Sequence, residues 1–254
     1  MDGATTSRAA PGRSDRRRLV RFVPRMWIEW ARFVRRPRLP AAREAFDGPA
    51  MAEVGQLLAL VIAFDFALVA GLSWLSTALG VKTPEFEELR KFGPMVTLLV
   101  GALALPIVEE IVFRGWLSGR RRVLVAVAVL VGFIASLAMA RLIVGPAPFK
   151  TMAVLLLAWL VVGPALIWKS KGDTPGWFVR GFPLLYLASA LLFGLAHISN
   201  YDLSRPWVLL PFVVPQTIAG LIFGFARVRY GMWANIALHG LSNALFLGLT
   251  LAGM

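Results

Sequence analysis

The 254-residue chain contains no cysteine. A disulfide framework, a thiolate-ligated metal and a cysteine nucleophile are therefore excluded. Charge is scarce too: Asp, Glu, Lys and Arg make up 16% of the residues, against ~25% in ordinary soluble domains. Acidic residues number 14 against 27 basic ones, and histidine occurs twice. Neither Gly-x-Ser-x-Gly nor His-Glu-x-x-His is present, and the one Gly-Asp pair, Gly172-Asp173, lies in a polar loop.

What replaces charge is apolar mass. Hydrophobic residues reach 58% and the mean hydropathy is +0.70, a composition that points to a bilayer. Apolar runs occur near 55–80, 94–117, 123–144, 151–168, 181–198, 206–226 and 232–252. Each approaches the ~20 residues that cross a membrane as a helix. Backbone in hydrocarbon must satisfy its own hydrogen bonds, so runs this continuous predict helices, not barrel strands. The expected fold is all-α, a polytopic bundle of about seven spans. Two stretches depart from plain apolar helix. Pro206, Pro211, Pro215 and Gln216 break the sixth run, and 81–93, with Glu85, Glu87, Glu88, Arg90 and Lys91, predicts a short interfacial helix.

The net charge of +13 is distributed as topology, not as a nucleic-acid face. Twelve of the 27 Lys and Arg lie in the first 50 residues, including Arg16, Arg17 and Arg18. Others follow alternate runs: Arg120 to Arg122, Lys169 and Lys171 with Arg180, then Arg227 and Arg229. The positive-inside rule puts these loops and the N-terminus in the cytoplasm and, with seven spans, the C-terminus outside. The basic flank suits anionic lipid, and no nucleic-acid partner is expected. Residues 1–50 read as an Arg-rich cytoplasmic tail with no signal-peptide core, and 51–254 as the membrane domain. Within the tail, Trp27, Trp30, Phe33 and Val34 recur at helical spacing among Arg25, Arg32 and Arg36. That pattern suits either an amphipathic helix on the membrane surface or a disordered basic tail.

Ionisable groups inside spans each need a reason, because burial of charge in the bilayer is costly. The runs hold Asp65, Glu109, Glu110, Arg114, His197 and His239, with Asn243 as a polar companion. Glu110 and Arg114 are four apart and can pair on one helical face. Glu109 points about 100° away with no local counter-charge, which suits a general base. His239 and Asn243 also share a face. Asp65 belongs to no such pattern, and a hydrogen bond to a neighbouring helix is its expected role.

Three motifs stand in order: Glu109-Glu110-Ile-Val-Phe-Arg114, Phe193-Gly-Leu-Ala-His197 and His239-Gly-Leu-Ser-Asn243. Over roughly residues 95–254 the chain thereby resembles the CPBP intramembrane proteases, a family that includes the CAAX endopeptidase and bacteriocin-processing (Abi) proteins. Arg114-Gly115 and Gly231-Met-Trp233 add to the likeness. The resemblance implies a glutamate-dependent endopeptidase with Glu109, Glu110, His197, His239 and Asn243 as catalytic residues, supported by Arg114 and Phe193. It implies that Glu109 and His197 hold the attacking water while His239 and Asn243 meet the oxyanion. It implies no cofactor; a bound zinc would take His197, His239 and Glu109. The substrate is expected to be a peptide or membrane protein, and the Arg- and Ala-heavy composition suggests a bacterial inner membrane. One departure is an extra apolar hairpin, 123–168, between the first and second motifs. A proton-coupled transporter, or a catalytically silent immunity or scaffold protein of the same fold, is the alternative reading.

Overall fold

The computed structural model describes residues 23–81, 91–144, 149–201 and 206–253. The Arg16–Arg18 run and most of the expected interfacial helix at 81–93 lie outside these residues. All regular structure among the described residues is helical. Helices α1 (Arg25–Arg35) and α2 (Gly48–Leu79) are followed by α3 (Pro94–Leu99), a π turn (Val100–Ala104) and α4 (Leu105–Arg114). A 3₁₀ turn, Gly115–Ser118, leads into α5 (Arg121–Val144) and α6 (Phe149–Lys169). Then come α7 (Gly176–Ala196), 3₁₀ turns at His197–Asn200 and Pro206–Val213, α8 (Val214–Arg229) and α9 (Met232–Leu251). Among the described residues six segments are long and apolar enough to cross a membrane, and α6, with 21 residues, adds a seventh apolar helix. The chain is an integral, multi-pass membrane protein. Each expected run coincides with one segment, the fifth starting at Gly176 instead of 181. Prolines shape the sixth: Pro206–Val213 is 3₁₀, and Pro215 then sits in the first turn of α8, where its missing N–H has no intrahelical partner to lose.

The centre of the bundle is the α7–α8 pair, and small residues bring it together. A Cβ added at Gly220 would lie 3.1 Å from the Ala190 Cα, one at Gly224 would lie 2.9 Å from the Tyr186 ring, and one at Gly194 would strike Thr217. Close approach of this kind replaces the hydrophobic drive that lipid removes. Tyr186 ties the pair further by donating its hydroxyl to the Leu221 carbonyl at 2.6 Å. Helix α2 covers α8 with Val54, Leu57 and Val61.

Helix α1 turns its aromatic side onto the protein. Met26 is fully buried, and Trp27, Trp30 and Phe33 pack on the cluster formed by α2, α8 and α9. Gln56 of α2 clamps it, accepting from the Met26 N–H at 3.2 Å and, through its carbonyl, from Trp27 Nε1 at 2.7 Å. Glu29 bridges to Arg229 at 2.5 Å. Burial alone would raise the Glu29 carboxyl, but Arg25 and Arg229 outweigh it and hold the group below its ordinary value.

Hairpin α5–α6 packs chiefly on itself, through Trp159 Nε1 donating to Ser136 Oγ at 3.2 Å and Trp159 lying over Gly132. No residue of Arg121–Arg141 is fully buried inside the protein, as suits a span with a lipid-facing side. The hairpin starts and ends on one side, so α4 and α7 still meet: Ser189 Oγ donates to the Phe113 carbonyl at 2.7 Å.

Candidate active site

Pro106 sets the first element of the site. It has no N–H for the Ala102 carbonyl four residues earlier, and its ring crowds that carbonyl. The chain answers with the π turn Val100–Ala104, where the Leu105 N–H reaches back to the Val100 carbonyl. Two carbonyls of this turn are taken up by α9. Asn243 Nδ2 donates to Gly101 O at 2.9 Å, and Gly240 lies so close that a Cβ there would be 2.6 Å from Ala102 O. Helix α9 is thus keyed onto the stretch that leads into Glu109 and Glu110.

The two glutamates part company. Glu110 is fully buried, with partners on two helices. It forms an enclosed ion pair with Arg114, and its carboxylate accepts from Asn235 Nδ2 at 2.5 Å and from His239 Nδ1 at 2.9 Å. Glu109 is 30% exposed and reaches a cavity, with one oxygen 3.5 Å from His239 Nε2. The imidazole of His239 is therefore held between a buried carboxylate and an open one. Its face stacks on Phe223 at 5.0 Å, and its edge meets Phe193 at 5.5 Å.

Arg114 is as deeply buried as Glu110. Two of its nitrogens, Nε and Nη2, have no hydrogen-bond partner among the described residues. Aromatic faces stand in for them: the guanidinium carbon is 3.9 Å from the Phe193 ring centre and 5.5 Å from that of Phe223, a desolvated cation–π arrangement. Arg227, which the sequence offers as a loop charge, is also buried. It donates Nε to the Arg114 carbonyl at 3.1 Å and Nη2 to the Gly115 carbonyl at 3.0 Å. A cation there caps the end of α4 and its dipole.

His197 follows the last turn of α7 and gives Nδ1–H to the Phe193 carbonyl at 2.8 Å, which leaves Nε2 as its second nitrogen. Glu109, Phe193, His197, His239 and Asn243 all line one cavity of about 470 Å³. Glu110 and Arg114 stand behind its wall. Among the described residues no group of three or more His, Asp and Glu is arranged to hold a metal ion.

Two residues were misjudged or missed in the sequence. Asp65 makes no hydrogen bond to a neighbouring helix; among the described residues it has no polar partner, and it lines the same cavity from α2. Asn235 carries a bond to Glu110 and could have been found as the first rung of Asn235, His239 and Asn243, spaced by four along α9.

No curated protein and no solved structure matches the chain. A family model does: residues 166–245 match the one described as type II CAAX prenyl endopeptidase Rce1-like. That stretch contains the Phe193–His197 and His239–Asn243 motifs but not Glu109 and Glu110, and over it the chain is similar to the CAAX protease family.

Proposed function

We propose that the protein is an intramembrane endopeptidase in which Glu109 activates water. The observation that carries this reading is the unequal burial of the adjacent glutamates, with Glu109 open to the cavity and Glu110 enclosed. Water held between Glu109 and His197 Nε2 attacks the scissile carbonyl carbon, and Glu109 takes its proton. The oxyanion is met by Asn243, whose second Nδ2–H has no partner among the described residues, and by His239 through Nε2 when that nitrogen carries a proton. Collapse breaks the C–N bond, and the proton held by Glu109 passes to the leaving amine. Preorganised donors of this kind are worth ~10²–10³ each in rate. Glu110 acts by fixing the His239 ring, as carboxylates orient imidazoles elsewhere.

The reaction is proposed to need no metal, because His239 already has a carboxylate oxygen opposite each ring nitrogen and His197 spends Nδ1 on backbone. The substrate is a peptide or membrane protein. The membrane is a bacterial inner membrane, with the N-terminus in the cytoplasm.

The test is turnover of peptide substrates by purified protein. Glu109→Gln keeps shape but cannot take the proton, and should abolish cleavage while the melting temperature stays within a degree or two. Wild-type turnover should survive strong chelation. Normal turnover by folded Glu109→Gln would favour a proton relay or a silent scaffold, and zinc lost together with activity would make His197, His239 and Glu109 ligands.

A further inference from the structure

The chain carries a net charge of +13, yet no Lys or Arg lines its cavity among the described residues. Two carboxylates do, Glu109 and Asp65. Glu109 faces His239, but Asp65 has no hydrogen bond or ion pair among the described residues. A carboxylate within a span is costly and normally finds a partner. A cavity with low-dielectric walls also focuses the field of the charges that line it, so this one attracts cations.

The surroundings of Asp65 narrow the ligand. Val61, Asp65 and Val69 follow one another at four-residue spacing along α2, and all three line the cavity. Across it stand Phe246 and Thr250 of α9 and the Gln216 amide of α8. An apolar wall that holds one carboxylate fits a long aliphatic stem ending in an ammonium or guanidinium group. None of the three motifs supplies any residue of α2, so this wall is separate from the groups assigned to bond breaking.

We infer that Asp65 is a specificity residue that receives a Lys or Arg side chain of the substrate, seated along Val69. The inference rests on the peptidase reading of the same cavity. It makes the enzyme selective for a basic residue close to the scissile bond, and it gives the unpartnered carboxylate its counter-charge only when substrate is bound.

Binding and cleavage separate the two ideas. The probes are acetylated penta-leucine amides in which Lys, or its uncharged isostere norleucine, occupies each position in turn. They are titrated into Glu109→Gln protein in zwitterionic nanodiscs, so that neither cleavage nor anionic lipid intervenes. At one position or more the Lys peptide should bind about tenfold more tightly, the scale of one charge-assisted hydrogen bond. Adding Asp65→Asn should erase that difference, and Asp65→Glu should restore most of it, with melting temperatures recorded for each. Equal binding of both peptide series, or a Lys preference that survives Asp65→Asn, overturns the inference. The same peptides are then given to wild-type protein. Lys-selective binding without cleavage supports the cation site and overturns the peptidase reading; cleavage with no Lys preference does the reverse.

Discussion

Glu109 and Glu110 differ by one position and by about a quarter turn of helix, and that quarter turn decides what each can do. Glu110 is bonded to Arg114, Asn235 and His239, so its charge is fully used inside the protein. Glu110→Gln should leave Arg114 without its counter-charge, a loss of about 3–5 kcal/mol. The expected symptom is a fall in melting temperature on the order of 10 °C, with loss of turnover following from a loosened His239. An unchanged melting temperature in detergent would show that the ring faces of Phe193 and Phe223 suffice to hold the arginine. The pairing of Glu110 with Arg114 was legible from their spacing alone. That Glu110 also carries His239 was not, because His239 lies 129 positions further along and on another helix.

At the scale of elements, the site depends on how α9 seats against the π turn. Pro106 creates that turn, and Gly240 and Asn243 occupy it at the Ala102 and Gly101 carbonyls. A backbone oxygen 2.6 Å from an added Cβ cannot swing aside as a side chain can. Gly240→Ala should therefore push α9 outward, and overpacking of this sort costs roughly 1–3 kcal/mol. Displacing His239 from Glu109 by about 1 Å should lower turnover about a hundredfold. Gly248, on the same helix with nothing within 4 Å of its added Cβ, is the control, and Gly248→Ala should leave both stability and turnover alone. Equal effects at the two glycines would refute the seating at Ala102. Helix α1 illustrates the opposite lesson. Its aromatic periodicity was legible, but the surface it covers was not: Gln56 and the α8–α9 core take the face that a lipid interface could equally have taken.

For the whole molecule, the charge asymmetry of the loops predicts a cytoplasmic N-terminus and an external C-terminus. Reporters fused after residues 122 and 254 should read opposite sides of the membrane. The same side for both would mean that one of the five segments after residue 122 does not cross. Hairpin α5–α6 brings the chain back to the side it left, so its presence or absence changes neither the orientation of α7 nor the meeting of the motifs.

Sequence by itself determined the solvent, the helical class and the approximate extent of the spans of this protein. Those follow from local hydropathy and from the demand that backbone in lipid bond to itself within one segment. It also determined which groups are chemical candidates, because polar residues in spans are rare enough to be counted. Which of them meet was decided only by the fold. Glu109, His197, His239 and Asn243 come from two helices and a 3₁₀ turn, and they share a cavity because α7 and α8 approach through glycines and α9 is keyed to the π turn. Asp65 shows the same limit most plainly. Nothing in its neighbours along α2 reveals that it lines the same cavity as the glutamate and the histidines, since that is a property of how helices pack and not of any one of them.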